Sequence, residues 1–457
     1  MCCSCDSSSQ ASVNVRSLHS PVSESIDIAV IGAGAAGLMA AIFAGRTAPG
    51  VKVVAFDSAK KLGSKILVAG GGRCNVTHTA VSESSYCGSS RNAIKKVLRR
   101  FDVPQTIAFF QELGVELKAE DTGKLFPTTD DAHTILDALL AACTKAGVTI
   151  EHPFRVQSVR FVGDEFQIEF DPATPRASVQ AKKLILATGG KSLPKTGSDG
   201  HGYTIARAFG HSLTPRIVPA LVPLTVQSDH PLLALSGLAI PMTLQVTASS
   251  GKKLTSFTNS TLCTHFGLSG PGPLDISRHL QHAQLEDSGA SLNLNVLPGR
   301  TTEELDAFLT AAGNVSVLNA IRRFYKSPPT RTIDDIAEGV DLLADLPERI
   351  IRALVTLAGA DASAPCHSLT RETRKRVATS FTNLKIPVTG TRGFTYSEVT
   401  AGGIPLAEFH LDSLESRVHK NLHICGELLD VDGQIGGYNF QWAWASGFVA
   451  GTAAARC

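Results

Sequence analysis

The residues of this chain with the clearest chemistry are small ones. Gly32, Gly34 and Gly37 stand in Gly-x-Gly-x-x-Gly spacing, and Asp57 follows the last of them by 20 residues. The first glycine permits a tight turn and the second lets backbone approach a pyrophosphate. The third lets a helix pack closely on a strand, so that the helix N-terminus faces the phosphates. An acid at the distance of Asp57 accepts from a ribose hydroxyl. Further on, three successive glycines, 70–72, run directly into Arg73, Cys74 and Asn75. Such a backbone can lie flat against a planar ligand while the side chains after it reach the polar rim. Gly189 and Gly190 end an apolar run, 183–188, where a parallel strand meets its ligand. Near the far end of the chain, Glu427 and Asp430 follow another apolar strand and are placed to accept from a sugar-alcohol hydroxyl. Gly436 and Gly437, ahead of Asn439, start a helix whose backbone N–H groups can donate to an electron-accepting ring edge. A two-part site built from both ends of one chain points to a large cofactor such as FAD rather than a diffusing NAD.

The elements that must position these residues follow from hydrophobic periodicity. Residues 27–32 form a buried strand, a helix runs from the glycine turn to about 49–50, and 51–57 is the second strand. The uncharged run 28–45 has the length of a membrane span, but its turn-spaced glycines and flanking strands indicate a nucleotide domain instead. Helices are expected over 92–101, 104–113 and 131–147. Strands are expected at 115–118, at 148–151, and at 155–162 and 165–171 around the turn Gly163-Asp164, together forming a small antiparallel lobe. Residues 191–202 read as an active-site loop before a helix at 203–209, and no second dinucleotide unit follows. From about 213 the prolines at 215, 219, 223, 231 and 241 mark an antiparallel insert. It contains Thr264-His265-Phe-Gly267, where His265 is a candidate acid or base, and a helix start at Pro271 or Pro273. Residues 301–380 read as largely helical, with apolar spacing of three and four at 303–311, 315–325, 333–344 and 350–357. Strand 421–425 then returns to the parallel sheet, and a last helix begins about Trp442.

The composition narrows the class. A chain of 457 residues, 43% apolar and 18% charged, holds two or three domains, and a net charge of +2 gives no global basic field for nucleic acid. The basic helices at 95–100 and 371–376 leave a local RNA-docking patch open. Ten cysteines scattered along the chain suggest a reducing, cytoplasmic setting and no metal site. Residues 1–25 carry nine serines and no apolar run and are expected to be a disordered tail. A transit peptide or acylation near Met1-Cys-Cys-Ser-Cys5 is the alternative there, although the second signal needed for stable membrane anchoring is absent.

Six stretches carry a family resemblance: GAGAAGLMAA at 32–41, LVAGGGRCNVT at 67–77, LILATGGKSLPKTGSDGHGY at 184–203, THFGLSGP at 264–271, VTAGGI at 399–404 and GELLDVDGQIGGYNFQWAWASG at 426–447. In them the chain resembles the BaiN-like, or aminoacetone-oxidase-type, flavoproteins, distant relatives of fumarate reductase flavoproteins. The resemblance implies an α/β fold: a Rossmann-like FAD-binding domain of the GR2 type over 26–195 and 386–457, interrupted by an insert over 196–385. The insert would be β-rich over 210–300 and helical over 301–380. Gly32, Gly34 and Gly37 would face the pyrophosphate, Asp57 the ribose, and Val156 the adenine through its backbone. Arg73, Cys74 and Asn75 would lie along the flavin, Glu427 near the ribityl-pyrophosphate portion, and Gly437 with Asn439 near the ring. Cys263 departs from the family pattern, which puts the substrate side in question. The implied activity is reduction of a conjugated C=C bond, with NADH or NADPH as transient donor and a small-molecule substrate. A ribosomal-RNA dihydrouridine-forming enzyme, an aminoketone-type oxidase and a non-catalytic redox sensor are the alternatives. The reduction needs an acid beside the ring, for which Cys74 and His265 are the candidates.

Overall fold

The computed structural model describes residues 25–327 and 345–456; the serine-rich tail and the helix expected over 333–344 lie outside them. The organising element is a sheet whose five parallel strands run in the order Leu422–Ile424, Ser178–Leu186, Ser25–Ile31, Val53–Phe56 and Thr149–Glu151. Ile28 pairs with Val53 on one side and Lys183 on the other, so the first strand sits at the centre and is buried along nearly its whole length. That is why it reads as a continuous apolar run.

Helix Ala35–Thr47 crosses from the first strand to the second, and helix Tyr438–Ala455 packs against it. Their contact is close because glycines stand in it. A Cβ on Gly447 would lie 2.5 Å from the Ala36 carbonyl oxygen, and one on Gly451 would lie 2.0 Å from that of Ala40. The last helix begins four residues before the expected Trp442, since nothing in 438–441 breaks a helix once Gly437 has turned the chain.

Strand Thr149–Glu151 belongs to the parallel sheet, not to the antiparallel lobe expected from its short length. Helix Ala132–Lys145 acts as its crossover and carries it to the edge beside Val53–Phe56. The hairpin Val156–Val162 and Glu165–Phe170 joins the start of strand Ser178–Leu186 in antiparallel fashion. Its turn has Gly163 and Asp164 at φ +59° and +68°. Strand Leu117–Ala119 instead joins a three-stranded sheet with Lys124–Pro127 and Thr77–His78.

The insert is a seven-stranded antiparallel sheet covered by helix Pro271–Glu286 and by the helices Thr302–Ala311, Val317–Lys326, Glu348–Leu357 and Arg371–Thr382. It has a core of its own, including Leu244, Ile276, Leu305, Ile321, Ile351 and Phe381. Helix His201–Ala208, which the expected boundary at 196 places in the insert, buries Tyr203 and Ile205 in the nucleotide-domain core. Two chain segments join the domains side by side, pairing Val218–Ala220 with Val399–Ala401. Around this ribbon a third small core gathers Leu221, Leu274, Val399 and the flanking Ile435.

Candidate cofactor and active site

Among the described residues, some helices begin with a side chain that settles their first N–H groups locally, and others with a glycine that leaves those groups open. Ser90, Asp102, Asp131, Thr301, Ser316 and Thr370 each cap a helix with a side-chain oxygen. The helices Ala35–Thr47 and Tyr438–Ala455 begin at Gly34 and Gly437 with no side-chain cap. Both of these N-termini open onto one cleft of about 440 Å³ at the carboxyl ends of the parallel strands. A Cβ at Gly34 would meet nothing within 4 Å, so the first helix start is an open cradle. Gly32 is pinned at φ +101° with its Cβ position 2.5 Å from the Ala187 carbonyl oxygen, which holds the turn tight. Two donor-rich helix starts facing one cleft suit a ligand with a pyrophosphate and an electron-accepting ring, and FAD has both.

Gly32, Gly34, Asp57, Arg73, Asn75, Val156, Gly189, Glu427, Gly437 and Asn439 all lie on the wall of this cleft. Asp57 accepts from the N–H groups of Ala33 and Ala59, both at 2.7 Å, and thereby ties the glycine turn to the end of the second strand. Ala69, Gly70 and Gly71 line the cleft in a tight turn, with φ +58° and +70° at the two glycines. Glu427 is held by three groups. Ser192 Oγ donates to Oε1 at 2.7 Å, the Thr400 N–H donates to Oε1 at 2.8 Å, and Lys65 Nζ sits 2.5 Å from Oε2.

Five of the expected residues are not on the wall. A Cβ on Gly37 would fall 1.8 Å from the Gly32 carbonyl oxygen, so this glycine packs helix on turn. Gly190 stands behind Glu427, where its Cβ would be 2.5 Å from Thr400 Oγ1. Asp430 is buried behind the cleft beside Ser89, and burial followed by the nearby Asp432 pushes its carboxyl up to about 6. Cys74 is fully buried at φ +60°, and burial pushes its thiol up to about 12. A thiol so placed does not reach a substrate in the cleft. His265 lies exposed in the turn between strands Lys253–Thr264 and Gly267–Ser269 of the insert, also off the wall. The structure therefore brings neither expected proton donor to the cleft.

Other residues take part that the spacing did not single out. Lys65 stands in the first turn of the short helix Ser64–Val68 after the Gly63 turn, and Ser192 and Thr400 meet Glu427 only through the fold. Among the titratable side chains of the wall, most are committed. Lys65 and Glu427 pair with each other, as do Arg73 with Glu120 at 2.6 Å and Arg155 with Asp199 at 2.7 Å. His201 Nε2 lies 3.0 Å from the Gln157 carbonyl. Glu398 and Lys124 remain, with no side-chain hydrogen bond or ion pair to any described residue.

A Rossmann-type domain with two open helix starts on one cleft defines the class as an FAD-binding oxidoreductase. The chain belongs to the HI0933-like family, whose Rossmann-domain model matches residues 26–453. It is 33% identical over 430 residues to a 3-dehydro-bile acid delta(4,6)-reductase of Clostridium scindens, covering 94% of this chain and 99% of the relative. It is equally 33% identical, over 425 residues, to a ribosomal RNA dihydrouridine synthase of Escherichia coli, covering 93% of this chain and 96% of the relative. Among solved structures, quinol fumarate reductase of E. coli aligns with a TM-score of 0.48 at 14% identity over 94% of this chain and 70% of that one. No helix among the described residues is long and apolar enough to cross a membrane.

Proposed function

We propose that this protein is an NAD(P)H-fed, FAD-dependent reductase of a C=C bond conjugated to a carbonyl. The observation that carries the reading is the cleft itself, whose ring end, at Gly436 and Gly437, opens toward the insert beside Glu398 and Lys124. In a nucleotide domain capped by an insert, that is where a substrate meets the cofactor. Both relatives' names describe adding two hydrogens across such a bond, in a dienone and in a uracil ring. When bound, FAD accepts two electrons and supplies a hydride from its N5 to one carbon of the double bond. The chain's own residues hold the cofactor and shape the acceptor's approach. The uncapped helix start at Gly437 would face negative charge developing on the ring edge, and the Lys65–Glu427–Ser192–Thr400 network braces the cleft wall. One glycine-fingerprint unit serves the resident cofactor, so the nicotinamide visits transiently.

A second reading, uridine in ribosomal RNA as acceptor, is favoured by the equal identity to the dihydrouridine synthase and by Lys96, Arg99 and Arg100, which are exposed on one helical segment. The 371–376 cluster contributes less. Arg374 is paired with Asp306 at 2.7 Å, and Arg376 donates to the Ala358 carbonyl at 3.0 Å.

Anaerobic absorbance titration of the yellow holoprotein tests both readings. Bleaching by NADPH or NADH, followed by rapid recovery with a cyclic enone or with uridine-containing RNA and slow recovery in air, is the expected result, and the acceptor that works selects between them. Absence of bleaching by either nicotinamide would overturn the NAD(P)H-fed reductase.

A further inference from the structure

Reduction of a conjugated C=C requires a proton for the second carbon, and neither Cys74 nor His265 is placed to give it. We infer that Glu398 is the catalytic acid of this cleft, an assignment that rests on the reductase reading above. Its place follows from the connecting ribbon. The Glu398 N–H donates to the Leu221 carbonyl at 3.2 Å, where the chain enters strand Val399–Ala401. Its neighbours Leu221 and Val399 share a small apolar core with Ile435, the residue before the glycine pair that starts the last helix. Glu398 therefore belongs to the ring end of the cleft, and its carboxyl is the one acid of the wall that no described residue engages. Glu398 stands exposed in the open cleft, and the desolvation that its surroundings impose raises the carboxyl above the ordinary range, against the pull of Lys124 and Lys65.

Lys124 completes the arrangement as a positioning residue. Its Cε lies 3.7 Å from where a Cβ on Gly436 would stand, and its ammonium is likewise free of described partners. It is placed to meet a substrate carbonyl as negative charge develops there. A second cavity, of about 970 Å³, shares Lys124, Gln434 and Ile435 with the cleft.

The step balances as follows. Hydride from the NAD(P)H-derived pair adds to the carbon remote from the carbonyl, the π electrons shift to the carbonyl oxygen as enolate, and the Glu398 O–H bond breaks. Its proton forms the new C–H bond at the adjacent carbon while the enolate electrons return. Glu398 is left as carboxylate and is reprotonated from water.

The test uses FAD-loaded parent, E398Q and E398D, each photoreduced so that no nicotinamide is needed, then mixed anaerobically with cyclohex-2-enone, a 3-keto-4-ene steroid, uridine-containing RNA or ferricyanide. FAD content and enone binding to the oxidised protein, read as a flavin absorbance change, serve as readouts apart from turnover. The expected result is parental FAD content and probe affinity in E398Q, with reoxidation by the conjugated acceptor slowed about 100-fold or more and partly restored in E398D. Ferricyanide, which needs no carbon protonated, should reoxidise all three alike. If E398Q reacts with the conjugated acceptor within about three-fold of parent, the assignment is wrong and the reductase stands. If the parent reacts with none of them, the reductase reading fails and the assignment falls with it. Should E398Q lose its FAD, the parent's pH profile decides. Enone reoxidation falling about ten-fold per pH unit on the alkaline side supports Glu398, and a flat profile from pH 5 to 9 overturns it.

Discussion

At the scale of single residues, the cleft separates groups that bind from groups that hold the binding groups in place. Asp57 holds the glycine turn by accepting two backbone N–H groups, Ala33 among them, while it lines the cleft. Asp57→Ala strands these two donors at the cleft wall, a loss of about 1–3 kcal/mol. Apoprotein titrated with FAD and followed by flavin fluorescence should show affinity at least about ten-fold weaker. Asp275, on the insert helix, accepts from the Ile435 N–H at 2.8 Å, and burial pushes its carboxyl up to about 7. Because the folded state then binds a proton that the unfolded chain releases near pH 4, stability falls as pH rises from about 4 to 7, by of the order of 4 kcal/mol. Asp275→Asn keeps an acceptor for Ile435 and removes the titration. Its Tm should match the parent's near pH 4 and exceed it at pH 8.

At the scale of elements, the close crossing of helices Ala35–Thr47 and Tyr438–Ala455 places both open N-termini on the same cleft. Gly447 and Gly451 set that distance, because their Cβ positions coincide with backbone of the partner helix. Gly447→Val should cost about 3 kcal/mol through overpacking, and FAD content should drop together with Tm in thermal melts. A variant that melts early yet keeps its full FAD would show that the crossing does not set the cofactor site. The insert is pinned to this frame by the buried Arg278–Asp432 pair, in which Arg278 also donates to the Asp432 carbonyl at 2.8 Å. Removing one partner leaves a buried charge, so Asp432→Ala should destabilise by about 3–5 kcal/mol in denaturant melts of the holoprotein.

At the scale of the whole molecule, the cofactor site draws on residues from 31 to 443, so binding and folding are linked. Stripping the FAD should lower stability, and restoring it at 100 times its Kd should return about 2.7 kcal/mol. Differential scanning with increasing FAD checks this through a concentration-dependent Tm. The insert leaves and rejoins the nucleotide domain through a single paired ribbon, Val218–Ala220 with Val399–Ala401, which carries Thr400 to Glu427 and stands directly after Glu398.

The glycine turn and the helix start that open on the cleft were legible in the residues because their geometry is local. A glycine spacing dictates a turn and a helix start, and an acid one strand later follows from the same short stretch. The apolar run 27–32 likewise determined a central parallel strand, since only a strand buried on both faces tolerates that composition. Strand Thr149–Glu151 was misplaced because short strands carry no record of their neighbours, and the crossover helix decided its place. Ser192, Thr400, Lys124 and Glu398 carry no distinguishing spacing. Ser192 and Lys124 come to Glu427 and Gly436 from more than 200 residues away, and Thr400 and Glu398 come from the ribbon between the domains, so only the folded chain brings them there. Cys74 and His265 looked like acids by type and by motif. Burial of one and the outward turn of the other are tertiary facts, because whether a group can give up a proton depends on the solvent and partners around it.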